Sequence, residues 1–112
     1  MSTYVLGDIQ GCYDALMTLL KKIEFDKDND KLIFCGDLVN RGGQSLDVLR
    51  WVHQHKECCD VVLGNHDLSL LAQYYIPKSR KKTNHEFKLI FKAKDCKKLM
   101  KWLRKQKLLI HS

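Results

Sequence analysis

The chain has 112 residues, 45% of them hydrophobic, and a formal net charge of +7; this length suits one domain, or part of one, with its own core. No apolar run approaches the roughly 18 residues of a membrane span. The N-terminus enters a strand without the pattern of a secretory signal, so a cytoplasmic protein is expected. The five cysteines, Cys12, Cys35, Cys58, Cys59 and Cys96, form no C-x-x-C pair, which argues against a zinc ribbon and fits free thiols in a reducing compartment.

In chain order, residues 3 to 7 read as a short buried strand. Leu16, Leu19, Leu20 and Ile23 then fall at i, i+3, i+4 and i+7, the stripe of an amphipathic helix. The acidic run 26 to 30 reads as a loop, and KLIFC at 31 to 35 as a second strand with Cys35 as a small core residue. Ser45 is placed to cap a helix with Asp47 in its first turn and Val48, Leu49 and Val52 on its inner face. DVVL at 60 to 63 reads as a third strand. A helix from Leu68 to about Tyr75 follows, stopped near Pro77. Residues 76 to 94 show no clear period and read as a loop or insert. Asp95 is expected to cap a last helix with Cys96, Leu99, Met100 and Leu103 inward, before a strand beginning at LLI, 108 to 110. The βαβαβ spacing predicts an α/β fold, a parallel sheet with helices packed on it.

Charge is unevenly spread. Residues 78 to 107 hold 13 of the 20 lysines and arginines and only two acids, Glu86 and Asp95, a net +11 that leaves −4 for the rest. Such asymmetry suits an anionic partner, a nucleic acid or polyphosphate, or else a solvated lysine-rich helix face. No aromatic residues interleave the lysines in a recognition pattern, so a nucleic-acid module ranks behind the reading below.

Three motifs stand at the predicted strand ends: GDIQG at 7 to 11, GDLVNRG at 36 to 42 and GNHD at 64 to 67. Parallel strands align their carboxyl ends on one edge, where open α/β sheets bind ligands. Asp8, Gln10, Asp37 and Asn65 offer hard oxygen ligands, and His66 an imidazole. Oxygen-rich sites suit Mn²⁺ or Mg²⁺. Two such ions about 3.5–4 Å apart can share a carboxylate and activate water for in-line attack on phosphorus. Asp37, central among the three loops, is the natural bridge, and Arg41 can present a bidentate fork to phosphate. Each motif alone is weak; the three together, in this order, are far more specific.

These motifs resemble the first three signatures of the calcineurin-like metallophosphoesterases. The whole chain, from YVLGDIQGCYDALMTLL to KLMKWLRKQKLL, is most similar to the branch of symmetrical bis(5′-nucleosyl)-tetraphosphatases. The resemblance implies hydrolysis of a dinucleoside polyphosphate, diadenosine tetraphosphate, to two ADP with two divalent ions (Mn²⁺, Co²⁺ or Mg²⁺). It implies Asp8 and Gln10 on one metal, Asp37 bridging, and Asn65 on the second. His66 would serve as general acid with Asp67 beside it to orient it, and Arg41 would hold phosphate. Gln10 replaces the superfamily's usual His. Asn40 and the Asp of GNHD depart from the pattern of protein serine/threonine phosphatases, the alternative within the superfamily. Family members are longer, and later strands bring further histidines to the metals. Residues 1 to 112 are therefore expected to be the N-terminal part of such a domain, weakly active alone and prone to self-association through an unpaired sheet edge. His53, His55, His85 and His111 are not expected to substitute as ligands.

Overall fold

The computed structural model describes residues 2–7, 9–39, 42–76 and 83–108. Asp8, Asn40, Arg41 and His111 lie outside the described residues, as do 77–82 and the expected strand residues 109 and 110. Among the described residues four strands, β1 (Thr3–Gly7), β2 (Lys31–Cys35), β3 (Cys59–Leu63) and β4 (Lys107–Leu108), are joined by one helix, one helix and then three helices. These are α1 (Tyr13–Lys22), α2 (Ser45–Gln54), α3 (Asn65–Tyr75), α4 (His85–Lys92) and α5 (Cys96–Leu103). The strands pair in the order β1-β2-β3-β4, and every pairing is parallel.

That order never reverses. Crossovers between parallel strands are right-handed almost without exception, so a sheet that grows in one direction collects its helices on one face. Side-chain alternation agrees. The rows Tyr4–Leu32–Cys59 and Leu6–Phe34–Val61 run across the sheet on the helix side, where Leu32, Phe34, Cys59 and Val61 are buried. The opposite row, Val5–Ile33–Asp60, faces outward, and Val5 is 64% exposed.

The core lies between sheet and helices. Leu16 and Leu20 of α1, Val48, Leu49 and Val52 of α2, Leu70 of α3, Phe87 and Ile90 of α4, and Leu99, Met100 and Leu103 of α5 are all buried in it. Each such side chain contributes about 1.5–3 kcal/mol on leaving water. Leu19, expected on the inner stripe of α1, is 36% exposed. Cys35 is also exposed, because it sits on the sheet's open face rather than in the core. His53 and His55 are half-buried: His53 meets Trp102 edge-on and His55 stacks on Trp51 at 4.1 Å.

Helix ends differ from the local expectation in an instructive way. Ser45 is the first residue of α2, with Gln44 at the cap and no side-chain cap bond from it. Instead Glu86 Oε1, from α4, accepts the Ser45 amide at 3.1 Å and its hydroxyl at 2.5 Å. Asp95 occupies the cap position of α5 but makes no cap bond; its carboxylate takes a bidentate fork from Arg50 at 2.9 and 3.0 Å. Residues 76 to 94, which show no clear sequence period, contain α4, capped by Asn84 accepting from the Phe87 amide at 2.8 Å.

Candidate functional site

The site is built where β1, β2 and β3 end on the same edge. Past β1 the chain turns sharply: Gln10 has φ 52° and Gly11 φ 75°. A left-handed glutamine is uncommon and costs of order 1 kcal/mol or more unless its surroundings hold it there. Here they do. The Gln10 amide donates to the Asp37 carbonyl at 2.9 Å, its own carbonyl accepts from Gly42 at 2.9 Å, and the Gly11 amide donates to the Leu38 carbonyl at 2.8 Å. The loop carrying Gln10 is thus stitched by main-chain bonds to the loop carrying Asp37.

Asp37 is stitched in turn to the third tip. Its Oδ1 accepts the backbone amide of His66 at 2.9 Å, and its Oδ2 lies 2.6 Å from Nδ1 of the His66 ring. The carboxylate therefore satisfies an orphan amide in the first turn of α3, where a negative charge also complements the helix dipole. Such close approach requires glycine at 64: a Cβ there would run into the Asp37 carboxylate, the Asp37 amide and Gly36. Gly42 is similarly hemmed in, with Gln10 O and Gly11 C 2.5 and 2.6 Å from where its Cβ would stand.

Asp67 completes the clasp from below. It is fully buried, and its carboxylate accepts from the amides of Leu38 (3.0 Å), Val39 (3.2 Å) and Gly64 (3.1 Å). Burial pushes its pKa up to about 6, opposed by those three amides and assisted by the nearby Asp37 charge. The sequence placed Asp67 beside His66 as its orienting partner. In the structure the group that meets the His66 ring is Asp37, and Asp67 ties the tips of β2 and β3 together through peptide N–H groups. Successive residues of a helix do not face one another, so 66 and 67 project in different directions.

Of the seven expected site residues, the structure bonds Asp37 to His66 and sets Asp67 beside them on the amides of Leu38, Val39 and Gly64. It sets Gln10 on a loop bonded to Asp37, and Asn65 at the first position of α3. Asp8 and Arg41 fall outside the described residues. Among the described residues no group of three His, Cys, Asp or Glu side chains gathers as a metal site. Asp37 and His66 set a carboxylate against an imidazole, and Gln10 and Asn65 on the adjoining loops carry amide oxygens; by chemistry this is a hard donor set that fits a divalent cation of the Mg²⁺ or Mn²⁺ type. The glycine-lined cradle at Gly64 leaves the Asp37 carboxylate uncovered by any side chain at that position.

The sequence profile of calcineurin-like phosphoesterases matches residues 1–110. The chain belongs to that family. Among curated relatives, the symmetrical bis(5′-nucleosyl)-tetraphosphatase of Xylella fastidiosa (strain M23) is 52% identical over 110 residues, 97% of this chain and 37% of the relative. That of Xanthomonas oryzae pv. oryzae (strain MAFF 311018) is 54% identical over 109 residues, 96% of this chain and 34% of the relative. That of Cellvibrio japonicus (strain Ueda107) is 49% identical over 111 residues, 99% of this chain and 41% of the relative. The chain thus spans between a third and two fifths of the length of these relatives. A solved structure described as a candidate diadenosine tetraphosphatase superposes with a TM-score of 0.64 at 25% identity, covering 94% of this chain and 46% of that one. Within this phosphoesterase family fold, the parallel sheet and its helices are the shared frame. None of the described helices is long and apolar enough to cross a membrane.

Proposed function

We propose that this chain supplies three loops of a metal-dependent hydrolase that splits diadenosine tetraphosphate into two ADP. One observation carries the reading: Asp37 at the tip of β2 is held by His66 at the start of α3, while the Gln10 loop is bonded to the Asp37 main chain. A site assembled across three strand tips brings hard oxygen donors to one rim. Curated relatives at about half identity carry the name of that activity.

In this reading Asp8, Gln10, Asp37 and Asn65 would hold the divalent ions, with Asp37 shared between them. Mn²⁺, Co²⁺ and Mg²⁺ are the candidates. Bound there, the ions would polarise the phosphoryl oxygens and lower the pKa of the attacking water. The chain's own groups do the rest. Asp37 fixes the His66 ring through Nδ1, which leaves Nε2 to give a proton to the leaving phosphate oxygen. Arg41 clamps a phosphate, and Asp67 keeps the tips of β2 and β3 at a fixed spacing. The lysines of 78 to 107 draw a polyanionic dinucleotide towards the crevice.

The test is ADP release from diadenosine tetraphosphate by the purified chain, with each metal in turn, beside a full-length relative. Metal-dependent release is expected, slower than the relative's and lowered at least about 100-fold by His66→Asn, the usual scale for losing a general acid. Manganese binding by calorimetry gives a second readout. Release insensitive to chelator, or manganese binding unchanged in Asp37→Ala, would remove the basis for the reading.

A further inference from the structure

The outer side of α5 takes no part in the clasp of strand tips. Its inner side is anchored, with Cys96, Leu99, Met100 and Leu103 buried. At about 100° per residue, Lys97, Lys98 and Lys101 then share an arc of roughly 100° pointing directly away from that stripe. All three are exposed, as are Lys94 just before the helix and Lys105 just after it. Lys94, Lys97, Lys98 and Lys101 line one shallow groove of about 540 Å³.

The groove's single acid is spoken for. Asp95 is committed to Arg50 at 2.9 Å, and that guanidinium holds its pKa below the ordinary carboxylate value. Among the described residues, the ion pairs are Lys31–Asp60, Arg50–Asp95 and His66–Asp37; none engages a lysine of this stripe. Four cations on one side, with Asp95 already bonded to Arg50 and shared electrostatically with Lys98, repel one another and favour an external anion. Outside residues 78 to 107 the chain nets −4, so its charge is polarised and would orient an approaching polyanion on this side.

We propose that this stripe docks on the phosphate backbone of duplex nucleic acid without reading its sequence. The axial separation of Lys97 and Lys101 is about 6 Å, short enough for the stripe to meet several charges of a duplex, each of whose strands carries one phosphate per roughly 3.4 Å of axis. Lysine is a point charge suited to phosphate rather than to bidentate reading of base edges. The arc carries no aromatic side chain on which unpaired bases would stack, which favours a duplex over a single strand.

The test is fluorescence anisotropy of the whole chain with labelled duplexes of unrelated sequence, at 50 and 200 mM salt. Four neutralised phosphates give a salt slope near −3.6, a loss of about 150-fold over that range. Changing Lys97, Lys98 and Lys101 together to alanine should flatten the slope to about −1 and weaken binding at 50 mM salt at least about tenfold. Alanine is the best helix former, so α5 is retained, which circular dichroism checks. The matched triple of exposed lysines Lys21, Lys22 and Lys56 to alanine should leave affinity within about twofold, and arginine at 97, 98 and 101 should preserve it. Equal losses from the two alanine triples would overturn the proposal. So would binding of inorganic polyphosphate with no binding of duplex at 50 mM salt.

Discussion

The carboxylate of Asp37 grips His66 twice, through its backbone amide at 2.9 Å and through ring Nδ1 at 2.6 Å, across 29 residues of sequence. One side chain thereby caps a helix and aims an imidazole. The two roles separate by substitution. Asp37→Asn keeps an oxygen for the His66 amide but loses the charge. It should leave the urea midpoint nearly unchanged while weakening manganese binding at least about 100-fold, beyond what an outer-sphere partner costs. Asp37→Ala should add a stability loss of about 1 kcal/mol, the usual value of a lost cap. Calorimetric titration and urea unfolding on the same preparations check both.

Glycines 64 and 43 should fail for different reasons. Gly64 has φ −96°, open to any residue, but a Cβ there strikes Asp37. Gly43 has φ +88° and nothing within 4 Å of a would-be Cβ. Gly64→Ala should cost about 1–3 kcal/mol by overpacking, and asparagine at 64 should be no better. Gly43→Ala should cost about 1 kcal/mol through its backbone, and Gly43→Asn less, because asparagine tolerates the left-handed region. Four unfolding curves decide it.

Asp67→Asn tests the clasp beneath the site. An asparagine can still accept from Leu38 and Val39, but its NH₂ would face the Gly64 N–H, a donor against a donor. A loss of about 1–3 kcal/mol follows from one buried amide left unsatisfied. Hydrogen exchange should show faster exchange at the Gly64 amide, with β1 little affected.

The Arg50–Asp95 fork joins α2 to the start of α5. Asp95's pKa is lowered, first by its hydrogen bonds with Arg50, so the folded state binds its proton less tightly than the unfolded chain. Its contribution is present above the unfolded value near 3.8 and is lost as pH falls through the lower folded one. Both side chains keep a third or more of their surface in water, so the pair is worth about 0.5–1 kcal/mol. Asp95→Asn should lower stability by that amount at pH 7. The gap to the unaltered chain should shrink only as pH falls below the ordinary carboxylate range, and should narrow in 1 M salt. Melting curves at stepped pH values measure it.

Strands were the most legible part of the sequence. β1 and β2 coincide with their apolar runs, and β3 begins one residue early at Cys59, because each run is short, apolar and bounded by turn residues. Helix α4 was not legible, since Phe87, Ile90 and Phe91 are diluted by lysines. The usable signal was Asn84 with Glu86 in the turn that follows. Helix α3 starts at Asn65 rather than Leu68 because Asp37, from another loop, accepts the His66 amide and Asp67 accepts that of Gly64. Asp95 looks like a cap because it is the right residue in the right place, but a guanidinium from α2 competes for it. The same limit applied at the site. The three strand-tip motifs could be read in order, whereas the choice of Asp37 over Asp67 as the imidazole's partner depends on how one loop lies over another.

The clasp around Asp67 is written in peptide groups rather than side chains. Leu38, Val39 and Gly64 contribute to it only what every amino acid except proline possesses. Evolution can therefore revise the apolar packing at 38 and 39 without disturbing the spacing of the two tips, provided the imino acid never enters there. The acid at 67 has no such freedom, so drift in this corner of the molecule should be lopsided, permissive on one side of the bond and frozen on the other.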